Sequence, residues 1–159
     1  MKILHISGAK GWGGNEQQLM YLIPELDKLN VDNLVFGLEN SMLQKQCNAK
    51  KIKFIQVKSR KLNKFSNYLY LKKIVKLEKP DLIHLHTSDS LTVFTISDFL
   101  FGLKTKTVFS KKGMGVSGSF LSKIKYNYKS VNSIFCVSKS VQRDFSKILS
   151  LKNKSKTRV

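Results

Sequence analysis

A chain of 159 residues, 42% of them apolar, has room for one well-cored domain, and this composition excludes a disordered polymer. The longest apolar-rich run, residues 91–103, is broken by Thr92, Thr95, Ser97 and Asp98, which excludes a membrane span of the usual ~20 residues. The formal net charge of +19 fits a polyanionic partner, nucleic acid or an anionic membrane, or else lysine-rich codon usage; only Arg60, Arg143 and Arg158 among the 29 basic residues are arginine, the residue suited to bidentate phosphate recognition.

The chain opens on Met1-Lys2-Ile3-Leu4-His5-Ile6-Ser7-Gly8, too short and too soon punctuated for a signal peptide. Residues 3–7 therefore read as a buried strand and the protein as cytoplasmic. A glycine-rich loop follows, then a helix over about 16–29 with Leu19, Leu22, Ile23, Leu26 and Leu29 on one face; Pro24 should bend or shorten it. Strands are expected at 33–38 and 52–57, with a helix at 41–49 between them. The next helix, 65–79, carries Lys72, Lys73, Lys76 and Lys79 on one face and Tyr68, Leu71 and Val75 on another, and Pro80 stops it. Strands at 82–86, 107–110 and 133–137 then alternate with helices at 88–103, 119–129 and 138–149. Short, nearly continuous apolar strands between helices imply βαβ crossovers. The expected fold is α/β, a Rossmann-like doubly wound parallel sheet of about six strands with helices on both faces. Its cleft should lie at the carboxyl ends of the strands starting at Ile3 and Leu82. The polar, basic residues 151–159 read as the start of a connector, although Thr157-Arg158-Val159 has the look of a new strand.

The strongest local signal is Gly8-Ala9-Lys10-Gly11-Trp12-Gly13-Gly14-Asn15-Glu16. Glycines let the backbone approach a bulky anion, and free N–H groups at a helix start bind phosphate. The loop is not a Walker A motif, which would end in Gly-Lys-Ser/Thr, and Glu16 occupies the third glycine position of the dinucleotide fingerprint. Glu39, near the end of the second strand, mimics the acid that holds a ribose and keeps a nicotinamide-dependent oxidoreductase as an alternative. A purely structural turn, with Glu16 favouring the helix N-terminus, also fits the loop.

His84 and His86 alternate in one strand and project from the same face. With Asp89 nearby they raise the question of a metal, but three ligands with supporting partners are not evident, so none is expected. His84 reads as a packed strand residue; His86, at the strand end before Thr87 and Ser88, reads as pointing into a site. After the next strand, Lys111 and Lys112 precede three glycines, Gly113, Gly115 and Gly118, as a basic pair on a loop able to order on binding. Cys47 and Cys136 lie far apart without metal-like spacing. Between Lys45 and Lys64 there are eight basic residues and no acid, so Lys50, Lys51 and Lys53 with Lys72, Lys73 and Lys76 make a candidate membrane-facing patch. A basic nucleic-acid-binding module is the further alternative; of its aromatics, Phe54, Phe65, Tyr68 and Tyr70, most fit core positions better, and no nucleic-acid partner is expected.

Three segments together resemble the N-terminal lobe of family-4-type (group 1) glycosyltransferases with the two-lobed GT-B fold: Gly13-Gly14-Asn15-Glu16, Lys79-Pro80-Asp81-Leu82-Ile83-His84-Leu85-His86, and Val131-Asn132-Ser133-Ile134-Phe135-Cys136-Val137-Ser138-Lys139. Their order and spacing cover nearly the whole chain. The resemblance implies transfer of a sugar from a nucleotide-diphosphate donor to a hydroxyl acceptor in surface polysaccharide or glycolipid synthesis. No cofactor is implied beyond the donor itself. It places Gly13, Gly14, Asn15 and Glu16 at the cleft with His86, Thr87, Lys111 and Lys112 as substrate-binding candidates. The implied partners are the donor, a sugar or lipid-linked acceptor, the protein's own C-terminal lobe and peripherally the inner face of the membrane. Relatives often place a histidine in the loop where this chain has Lys111 and Lys112, so a histidine-based role does not transfer.

Overall fold

The computed structural model describes residues 1–115 and 118–159. Seven strands form one parallel sheet: β1 (Lys2–Ser7), β2 (Asp32–Gly37), β3 (Lys53–Gln56), β4 (Leu82–Leu85), β5 (Lys106–Lys111), β6 (Ser133–Cys136) and β7 (Thr157–Arg158). They are separated by α1 (Gly14–Asp27), α2 (Met42–Ala49), α3 (Phe65–Glu78), α4 (Ser88–Phe101), α5 (Phe120–Tyr126), α6 (Lys139–Ser146) and α7 (Leu151–Lys154). The sheet order is β3-β2-β1-β4-β5-β6-β7, so the winding reverses between β1 and β4.

The count exceeds the expected six because residues 151–159, read as a connector, form α7 and then β7, which pairs parallel with β6. Asn153 and Thr157 are buried there, and polar side chains hold the segment: Thr157 Oγ1 accepts from Gln142. An apolar period was the wrong signal for a segment fastened this way. The first helix runs through Pro24 to Asp27 and breaks one turn later than the proline, its last turn closing with Lys28 N–H donating to the Pro24 carbonyl.

Period-two alternation sends successive side chains to opposite faces and makes two cores. Leu4, Ile6, Leu34, Phe36, Ile83, Leu85 and Phe109 face the larger one, with Leu71 of α3, Phe94 of α4 and Phe145 of α6. The other face buries Val35 against Leu19, Met20 and Ile23 of α1 and Leu43 and Cys47 of α2. Both cysteines are buried free thiols, and burial pushes Cys47 up to about 12. Among the described residues no helix is long and apolar enough to cross a membrane.

Candidate active site

In a doubly wound sheet the two loops that leave the strands at the reversal point diverge, and a crevice opens between them. Here those loops follow β1 and β4. They are drawn together at their roots: His86 N–H donates to the Ile6 carbonyl, and Gly8 N–H donates to Thr87 Oγ1 at 3.1 Å. Thr87 also caps α4, accepting from Ser90 N–H in a reciprocal capping box. A Cβ at Gly8 would stand 3.0 Å from both Asp89 Cβ and Leu62 Cδ2, so this glycine is demanded by packing. The later ones are not. Nothing lies within 4 Å of a Cβ built at Gly11 or Gly14, and Gly13, extended at φ −154°, meets only Glu16 Oε2 at 3.5 Å. Their missing side chains leave the start of α1 uncovered.

That helix start has no side-chain cap, and it carries the positive end of the helix dipole. Glu16, in its first turn, is buried and accepts a hydrogen bond from Ser7 Oγ at the end of β1.

Across the crevice, the adjacent residues Lys111 and Lys112 diverge, as strand alternation requires. Lys111 turns toward the larger core, where it is buried, lies 5.8 Å from the Phe145 ring centroid, and donates to the carbonyls of Gly113 and Gly115. Its ammonium therefore holds its own loop. Lys112 turns to the α1 face instead and donates to the Asn15 carbonyl at 3.0 Å and to His86 Nδ1 at 3.3 Å. Burial lowers it to about 8, partly offset by the Glu16 charge. A cavity of about 170 Å³ lies here, lined by Asn15, His86, Thr87, Lys111, Lys112 and Gly113 among others. Asn15, His86, Thr87 and the basic pair thus line one cavity, with Lys112 as the cation that reaches the helix start, while Gly13, Gly14 and Glu16 are not among its lining residues. Val116 and Ser117 of the loop expected to order on binding lie outside the described residues.

Sequence reasoning missed His5. It pairs in register with His84 across β1 and β4, on the same face, and the ring centroids of His84 and His86 stand 5.4 and 5.3 Å from its own. The histidine nitrogens lie within 4.8 Å of one another, the spacing of a three-histidine metal centre. Burial holds all three neutral: His5 falls to about 4, His84 to about 3, and His86 well below the ordinary imidazole range. The signal was available, since β1 and β4 are neighbours in any sheet wound this way and a polar residue inside an apolar strand invites the question of its partner.

The other sequence candidates lie elsewhere. Glu39 is exposed beside Lys10, Asn40 and Arg60 at a separate cavity beyond β2. All six proposed membrane-facing lysines, Lys50, Lys51, Lys53, Lys72, Lys73 and Lys76, are exposed; of them Lys53 binds Glu78 at 2.9 Å and Lys72 lies over the Phe101 ring. Lys53 begins β3 and Glu78 ends α3, so this patch lies toward the amino ends of the strands, away from the crevice.

A parallel sheet whose winding reverses between β1 and β4, with helices on both faces, defines a Rossmann-like α/β domain. The sequence profile of Glycosyltransferase Family 4 matches residues 12–159, and the chain belongs to that family. Solved structures share the fold. HepE of Anabaena, determined with UDP-glucose, aligns with a TM-score of 0.80 at 18% identity, over 100% of this chain and 43% of its own. A glycosyltransferase of Rickettsia africae aligns at 0.77 and 18% identity, over 99% and 42%. The UDP-GlcNAc 2-epimerase of Methanocaldococcus jannaschii aligns at 0.67 and 15%, over 100% and 45%. The chain spans less than half the length of these structures. A search of the curated proteins finds no match.

Proposed function

We propose that this chain is the acceptor-side lobe of a glycosyltransferase that moves a sugar from a nucleotide-diphosphate donor to a hydroxyl acceptor, in surface polysaccharide or glycolipid synthesis. The observation that carries the reading is the meeting of the uncapped α1 start with Lys112 and His86 at the reversal point of a family-4 fold. In such a transfer the acceptor oxygen bonds to the anomeric carbon as the bond to the diphosphate breaks, the electron pair leaves on the phosphate, and the hydroxyl proton passes to that departing diphosphate. Donors aimed at that growing charge lower the barrier. The α1 N–H groups and the Lys112 ammonium supply two, while buried Glu16 keeps the helix start in place through Ser7.

The donor serves as its own activated group, so no cofactor or metal enters the scheme. The rest of the donor site belongs to a second lobe of the same protein. The enzyme works in the cytoplasm, with Lys50, Lys51, Lys73 and Lys76 meeting anionic lipid at the inner face of the membrane. Contact there anchors the lobe from the end opposite the crevice.

Titrating the chain with nucleoside diphosphates, nucleotide sugars and NAD(P)H, with amide NMR as the readout, tests the reading. Weak binding of the diphosphates with shifts at Gly14, Asn15 and Glu16 is expected. Binding of NAD(P)H with shifts near Glu39, and none from nucleotide sugars, would overturn it in favour of an oxidoreductase.

A further inference from the structure

Polar groups under α1, buried at Asn33, His5 and His86, form one continuous chain from the exposed Asp27 to the half-buried Lys112, and its proton positions can be deduced from its ends. Asn33 Nδ2 contacts Asp27 Oδ1 at 2.8 Å and the Val31 carbonyl at 2.9 Å; both are acceptors, so this atom is the amide nitrogen and the other is the oxygen. That oxygen, Oδ1, stands 3.0 Å from His5 Nε2, so His5 carries its proton on Nε2 and presents a lone pair at Nδ1. His86 Nε2 lies 3.0 Å from that lone pair and must donate to it. The remaining lone pair of neutral His86, at Nδ1, is thereby aimed at Lys112 Nζ. Five side chains from α1, β2, β1, the end of β4 and the end of β5 therefore have a single consistent polarity. Both ring nitrogens of His5 and of His86 are committed within it, so a metal ion could enter the three-histidine cluster only by breaking it.

We propose that the relay Asp27–Asn33–His5–His86 is a positioning device that fixes the His86 tautomer and so holds the Lys112 ammonium at the crevice, where it binds the diphosphate portion of the ligand. The proposal rests on the reading above that the crevice takes a diphosphate. The geometry favours it over a packing role, because apolar side chains would fill this space without leaving polar groups to satisfy. It also explains why Lys112 can sit with two of its three N–H bonds on Asn15 and His86 and keep one for a ligand. With the opposite tautomer, His86 would present N–H to N–H and expel the ammonium.

The test uses nitrogen-resolved NMR of the histidine rings in the 159-residue chain, with inorganic pyrophosphate as the probe. At pH 7 both His5 and His86 should appear as neutral rings protonated on Nε2. Asn33→Leu removes the acceptor that fixes the first ring, and His5→Phe removes the link while nearly keeping its volume. Either variant, shown folded by amide dispersion, should give His86 a mixture of tautomers and weaken pyrophosphate about tenfold, approaching Lys112→Ala. Adding Zn²⁺ to the wild type should leave the ring signals unmoved. His86 protonated on Nδ1, Zn²⁺ bound by the three rings at micromolar concentration, or unchanged pyrophosphate affinity in a variant whose tautomers have changed would each overturn the relay. A wild type that shows the tautomers and the Lys112-dependent pyrophosphate binding but ignores every nucleotide sugar would keep the relay and reject the functional reading.

Discussion

At the scale of single residues, the site depends on charges that burial makes conditional. Lys112 is lowered to about 8 by desolvation, with His86, His84 and His5 on one side and Glu16 on the other. The protonated form binds an anion, so pyrophosphate affinity should be nearly level between about pH 7 and 8 and fall up to tenfold per unit above that. Lys112→Arg should extend the plateau to higher pH, and a calorimetric pH series would check both. The histidines act in the opposite direction on stability. An unfolded imidazole takes up a proton near its ordinary value of 6.5, while His5 in the fold resists until about 4. The unfolded state thus binds more protons between these values, and stability present above pH 6.5 is lost as pH falls toward 4. For a fully buried ring the loss is on the order of 3 kcal/mol. Urea midpoints measured from pH 7 to 4 should fall steeply, and His5→Phe should flatten the curve.

Among elements, the loop between β1 and α1 contains glycines with two different jobs, and substitution separates them. At Gly8 an added methyl meets Asp89 and Leu62 at 3.0 Å. Gly8→Ala should cost ~1–3 kcal/mol of stability through overpacking. At Gly14 the space is open and the residue is helical, so Gly14→Ala should leave stability unchanged or raise it by ~0.5–1 kcal/mol. On the proposed reading the same methyl narrows the approach to the helix start, so diphosphate affinity should drop. Chemical denaturation beside ligand titration distinguishes the pair; equal ligand loss with equal destabilisation would contradict the assignment. Thr87, proposed from sequence as a substrate contact, lines the cavity, and its hydroxyl oxygen accepts from the Gly8 and Ser90 N–H groups. Thr87→Ala should cost ~1 kcal/mol as a lost cap and loosen the loop roots at the crevice.

For the molecule as a whole, the two cores on either face of the sheet lead us to expect that the chain folds by itself. Catalysis is another matter. Transfer needs donor and acceptor pressed together, and losing that positioning can forfeit ~7–11 kcal/mol of barrier reduction. The 159-residue chain should therefore give cooperative unfolding but no measurable sugar transfer, while a protein carrying a second lobe turns over; comparable turnover by both would remove the donor chemistry from that lobe. The exposed lysines should bind vesicles containing anionic lipid, with affinity falling as salt rises. Since Lys53 is paired with Glu78, Lys50→Glu with Lys51→Glu should weaken sedimentation with such vesicles more than Lys53→Glu does.

The sequence by itself determined the alternation of buried strands and helices, because a strand covered on both faces must be apolar along its length and a crossover helix apolar on one side. It determined the parallel sheet and the crevice beside β1 and β4 for the same reason, and its three motifs led to the family. It determined much less about which polar residues meet. Lys111 and Lys112 looked like a pair, and both line the cavity, yet the Lys111 ammonium is held by carbonyls of its own loop while that of Lys112 reaches Asn15 at the start of α1. Residues 151–159 lacked an apolar period, and their place at the sheet edge is fixed by polar contacts that come from elsewhere in the chain. The link from Asp27 to Lys112 joins five segments spread over 108 residues, from position 5 to 112. Hydrogen bonds between side chains depend on distances of a few tenths of an ångström between atoms that only tertiary packing brings together, and no local pattern in the sequence encodes them.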